Sequence, residues 1–157
     1  MNLPVVAVIG LGAMGHAFAS NLLKKGFTVH GWNRSPERGE DLMASGLIRH
    51  ATPQQAAASA EVILSVLTDG EATLNAIREM APVCQPDAVF CQMGTIGVEE
   101  TQEAVDLLAS LRPSMIYLDA PVSGTKNRRK CANSGACQRG VGNQKPAEMR
   151  KFWCLPA

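Results

Sequence analysis

Residues 5–15 read Val-Val-Ala-Val-Ile-Gly-Leu-Gly-Ala-Met-Gly. The first five are apolar and mostly β-branched, which predicts a buried strand over Val5–Ile9. Gly10, Gly12 and Gly15 follow in the spacing G-x-G-x-x-G. Beyond them Met14, Ala17, Phe18 and Leu22 fall on one face of a helix predicted over Ala13–Lys25. Lys24 and Lys25 end it, with Gly26 at its cap. Strand, glycine turn and helix in that order is the context that gives the spacing meaning. Gly10 permits a tight turn, and Gly12 lets the backbone approach a diphosphate. Gly15 lets the helix pack close to the sheet. The unpaired N–H groups and positive dipole end of the helix then hold phosphate, so Gly10, Leu11, Gly12, Ala13, Met14 and Gly15 form a candidate cradle.

Outward from this core the alternation continues. Strands are predicted over Thr28–Trp32, Leu47–Ala51, Val62–Leu67, Ala88–Met93 and Met115–Asp119. Between them, helices are predicted over Pro36–Ser45, from Thr52-Pro53-Gln54-Gln55 onward, over Glu71–Met80 and over Val98–Leu111. Ser35, Thr52 and Asp69 stand at the N-cap positions of the first three, and Gly46 ends the first. Short links between alternating strands and helices imply right-handed βαβ crossovers. The fold class is therefore α/β: a Rossmann-type, doubly wound, mostly parallel sheet.

The chain has 157 residues, 46% of them hydrophobic and 18% charged, which excludes a disordered or collagen-like polymer. No apolar run approaches the ~18 residues of a membrane span, and no basic n-region precedes the first strand. A cytoplasmic location without membrane attachment is expected. Charge is unevenly spread. Residues 1–125 hold seven Lys or Arg against thirteen Asp or Glu, whereas residues 126–157 hold eight against Glu148 alone. That basic tail has no strand or helix periodicity and no interleaved aromatics, so nucleic acid is not an expected partner. Cys131 and Cys137 lack the spacing of a zinc clip, and no metal is expected.

The end of the second strand reads Asn33-Arg34-Ser35. A carboxylate there would bond a ribose 2′-OH and repel a 2′-phosphate; none is present. Arg34 can pair with a 2′-phosphate and lie on the adenine, while Asn33 and Ser35 supply further hydrogen bonds. NADP(H) is thus preferred over NAD(H). Two alternatives stand beside this reading: a solvated surface role for Arg34, and a pair with Glu37 that weakens the preference.

Four stretches, VIGLGAMGHAFASNLLKKGFTVHGWNRS, ATPQQAAASAEVILSVLTD, MGTIGVEET and LDAPVSGTK, together resemble the N-terminal domain of the β-hydroxyacid dehydrogenases, the group of 3-hydroxyisobutyrate dehydrogenase and glyoxylate/succinic semialdehyde reductase. The resemblance implies an oxidoreductase of small β-hydroxy acids or aldehyde acids. It places Met14 beside the nicotinamide, Leu67 and Thr68 at the adenosine end, and Thr95 at the nicotinamide ribose. Ser123 and Gly124 would hold the carboxylate of a small substrate. It also implies a proton-donating lysine on a helix beyond this domain, with an asparagine four residues later. No Lys-x-x-x-Asn follows Thr125, so no catalytic residue is assigned, and binding of NADPH without turnover is the alternative function.

The family pattern stops at Lys126. Residues 1–125 are read as the dinucleotide-binding domain and 126–157 as an aberrant basic tail, truncated or frameshifted: one codon choice for Asn127–Lys130, read in a shifted frame, spells Pro-Ala-Glu. The family's C-terminal helical domain is expected to be absent. An uncovered sheet edge would then invite association with a second copy.

Overall fold

The computed structural model describes residues 3–122. Six strands, β1 (Val6–Ile9), β2 (Val29–Trp32), β3 (Ile48–Arg49), β4 (Val62–Ser65), β5 (Val89–Gln92) and β6 (Ile116–Asp119), form one sheet. Every pairing is parallel, and the order is β3-β2-β1-β4-β5-β6. Five helices alternate with them: α1 (Ala13–Lys24), α2 (Glu40–Met43), α3 (Pro53–Ala57), α4 (Gly70–Met80) and α5 (Val98–Leu111). This is the doubly wound plan expected from the alternation, with its reversal of strand order between β1 and β4. Ser123, Gly124 and the tail 126–157 lie outside the described residues.

All four residues of β1 are buried, because both faces of this central strand are covered. Ala7 and Ile9 face one core with Ile63, Phe90 and Tyr117, beneath Ala56, Ala57, Ala76, Ile77 and Leu108 from α3, α4 and α5. Val6 and Val8 face the other, with Val29 and Val62 beneath Ala19 of α1 and Leu42 of α2.

Caps mark the helix ends. Thr52 Oγ1 accepts the Gln55 N–H at 3.3 Å, and Asp69 Oδ1 accepts the Ala72 N–H at 2.8 Å. At the end of α1, Gly26 takes φ +83°, and the Gly26 and Phe27 N–H groups return to Leu23 and Leu22 carbonyls. This paired closure is the left-handed glycine stop.

The helix predicted over Pro36–Ser45 is corrected to the single turn α2. Ser35 does not cap it. Its carbonyl accepts the Arg38 N–H in a turn at 3.2 Å, and Gly39 then takes φ +83°, a left-handed conformation that no helix interior sustains. The predicted strand Leu47–Ala51 shrinks to Ile48–Arg49, paired only with β2 at the sheet edge.

A side-chain contact holds this short edge. His30 Nδ1 lies 2.8 Å from His50 Nε2, one ring donating and the other accepting, with the rings stacked at 4.9 Å. Burial, and secondly the facing His50, holds His30 below its ordinary 6.5. The unfolded chain therefore takes up that proton more readily. The stability carried by the pair is complete above pH 6.5 and is lost as pH falls through the folded value. Urea unfolding followed by circular dichroism should give a lower midpoint at pH 5 than at pH 8, and His30→Asn should flatten that difference. A midpoint indifferent to pH across this window would contradict the role of the pair.

Candidate functional site

Gly10 leaves β1 at φ +100°; a Cβ there would sit 2.4 Å from the Val66 carbonyl oxygen, and so the turn lies directly against the exit of β4. At Gly15 a Cβ would come 1.7 Å from the Gly10 carbonyl oxygen. The first turn of α1 is therefore pressed onto the glycine loop with no room for a side chain. Gly12 is different. A Cβ there would meet nothing within 4 Å, so this backbone opens onto free space.

The helix begins without a side-chain cap and with no acidic residue in its first turn. The first helical bond is His16 N–H to Gly12 O at 2.8 Å, so the N–H groups of Ala13, Met14 and Gly15 have no intrahelical acceptor. They point, with the positive end of the helix dipole, out of the sheet's carboxyl edge at the order reversal.

On one side of this loop lies a groove of about 350 Å3. It brings together Gly12, Ala13, Met14, Gly15, Leu67, Thr68 and Thr95, all of them candidates from sequence, with Val66, Met93, Gly94 and Val122, which the sequence did not single out. Gly94 is packed so that a Cβ would lie 2.4 Å from the Leu67 carbonyl oxygen. Its neighbour Thr95 does not cap α5. Gly97 holds that position, its N–H bonded to the Glu100 carboxylate at 2.6 Å, and Thr95 lines the groove instead.

On the other side is a smaller hollow of about 260 Å3 between the glycine loop and the turn after β2, lined by Leu11, His16, Glu37, Arg38 and Asp41 among others. His16 Nε2 meets Asp41 Oδ2 at 2.6 Å across it. That bond is the main cause holding the Asp41 carboxyl below its ordinary range. Arg34 is exposed and makes no ion pair with Glu37; its charge reaches Asp69 at the start of α4. Asp69 is held low first by the Ala72 N–H, then by the Thr68 hydroxyl, and last by Arg34. Asn33 is turned toward the loop. Its Oδ1 accepts the Leu11 N–H at 2.9 Å, and its Nδ2 donates to the Ser35 carbonyl at 3.1 Å.

These features fit a dinucleotide. The unfilled space at Gly12 and the free N–H groups beyond it suit a diphosphate, and the grooves on either side suit its two ends. Comparison with known proteins agrees. A family model described as the NAD binding domain of 6-phosphogluconate dehydrogenase matches residues 5–144. The chain belongs to that family. The resemblance to the β-hydroxyacid dehydrogenase N-terminal domain is borne out. A probable 3-hydroxyisobutyrate dehydrogenase of Mycobacterium tuberculosis is 31% identical over 119 residues, covering 76% of this chain and 40% of that protein. The solved structure of 3-hydroxyisobutyrate dehydrogenase from Mycobacterium tuberculosis with L-serine superposes with a TM-score of 0.73 at 30% identity, covering 78% of this chain and 41% of that one. An imine reductase from Pseudomonas sp. gives 0.67 at 28%, covering 75% and 41%. The chain thus spans about two fifths of the length of these relatives.

The last two of the three glycines in this NAD-binding family domain separate packing from binding. Gly15→Ala should destabilise the fold by about 3 kcal/mol, because the carbonyl in its way is backbone. Gly12→Ala, at φ −66° and facing open space, should stay within about 0.5 kcal/mol of the parent chain. Urea titrations of the two variants check this; equal losses would contradict the packing described.

Proposed function

We propose that this chain is the cofactor domain of an NADP(H)-dependent oxidoreductase acting on small β-hydroxy acids or aldehyde acids in the cytoplasm. The observation that carries the reading is the uncapped start of α1, bare at Gly12 and continuous with the groove reaching Leu67, Thr68 and Thr95. Ala13, Met14 and Gly15 would hold the diphosphate by backbone N–H groups. Thr95 and Met14 would border the nicotinamide end.

When bound, the nicotinamide would supply or accept hydride. The chain's own residues orient it and shield it: Val66, Met93 and Val122 give the groove an apolar wall at the strand ends. Preference for the 2′-phosphate is supported by the missing carboxylate at the end of β2 and by the exposed Arg34 guanidinium. A small carboxylate-bearing substrate is supported by the Asp119–Gly124 motif and by the L-serine, itself a β-hydroxy acid, named with the mycobacterial structure. Binding without turnover is the second reading.

Titration of the 157-residue chain with NADPH and NADH, followed by nicotinamide fluorescence, tests the proposal. NADPH should bind more tightly, and Arg34→Ala should reduce that preference about tenfold or more, the scale of one charge-assisted contact. Equal affinities in the parent chain, or a preference that survives Arg34→Ala, would overturn the NADP(H) assignment. Reduction of succinic semialdehyde or glyoxylate by the chain separates the enzyme from the binding module.

A further inference from the structure

Asn33 stands one residue past the last β1–β2 pairing, Ile9 opposite Trp32. The Gly10 N–H still reaches the Trp32 carbonyl at 2.8 Å, and there the backbone ladder ends. Beyond it the Asn33 side chain supplies the next link, accepting from Leu11 N and donating to Ser35 O. The orientation of this amide is forced. Reversed, it would set NH2 against N–H and oxygen against oxygen. No other side chain of this size both accepts and donates: Asp has no hydrogen to give the Ser35 carbonyl, and Leu has neither function.

Leu11 is gripped from its other end as well. Its side chain is 1% exposed and lies under Gly39, where a Cβ would come within 2.7 Å of Leu11 Cδ1. Backbone and side chain of Leu11 are thus both fixed to the segment after β2, and Leu11 is the residue that precedes the open Gly12. Removing the amide leaves the Leu11 N–H without its side-chain partner.

We infer that Asn33 is a positioning residue that couples the diphosphate cradle to the loop bearing Arg34, rather than a contact for the 2′-phosphate. The inference rests on the dinucleotide reading above, and departs from the sequence expectation that Asn33 adds a bond to the cofactor. A coupling residue acts on the part of the cofactor that NADH and NADPH share. A 2′-phosphate contact acts on NADPH alone.

Three measurements on the 157-residue chain decide it. Amide hydrogen exchange without cofactor should show Leu11 losing protection in Asn33→Ala, with protection of β4 and β5 unchanged. Dissociation constants for NADH and NADPH should both rise about tenfold in that variant, leaving their ratio as in the parent chain, whereas Arg34→Ala changes the ratio. Asn33→Asp, which keeps the acceptor for Leu11, should recover Leu11 protection relative to Asn33→Ala. A loss confined to NADPH, NADH binding as in the parent chain, or no recovery in Asn33→Asp would overturn the inference. A parent chain that bound neither dinucleotide would overturn the cofactor reading itself, which the exchange of Leu11 distinguishes from failure of the coupling alone.

Discussion

The Gly10 carbonyl occupies the place where any other residue at position 15 would carry its Cβ, 1.7 Å from that oxygen. This close approach sets the geometry of the rest. It drives the start of α1 against the end of β1, at the one place in the sheet where strand order reverses. A helix seated this deeply cannot be capped by a side chain without filling the space in front of it, and Gly12 supplies none. The unsatisfied N–H groups are therefore left facing a cavity, and an anion is the partner that satisfies them best.

The chain elsewhere is arranged around that opening. β4 and β5 deliver Leu67, Thr68, Gly94 and Thr95 to one side, because parallel strands all end at the same edge. β2 delivers Asn33 and Arg34 to the other. Ser65 and Gln92 are fully buried where β4 and β5 end, the Gln92 amide reaching the Gly94 carbonyl at 3.4 Å. That bond ties the end of β5 to the loop that carries Thr95.

Local chemistry was readable in the sequence where it acts over a few residues. The β-branched run before three glycines, the caps at Thr52 and Asp69, and the stop at Gly26 all carry their own short-range signals. The parallel, doubly wound plan followed from alternation. What the sequence concealed depends on distant partners. Asn33 reads as a polar residue at a strand end, and its role appears only when β1 and β2 pair and Leu11 arrives beside it. The His30–His50 contact needs the β2–β3 register in the same way. Ser35-Pro36 imitates a helix start, and the left-handed Gly39 that cancels it shows in the sequence only as a glycine inside the predicted helix. Val66 and Met93 read as apolar strand ends and Val122 as part of the segment after β6; they become site residues only through the shared edge.

The proposed function depends on main-chain N–H groups at the start of α1 holding the cofactor's diphosphate. Backbone 15N–1H spectra recorded during addition of NADPH test it most directly. The largest shifts should fall on Ala13, Met14 and Gly15, with smaller ones at Thr68 and Thr95. Saturable binding that left those three amides unmoved would contradict it.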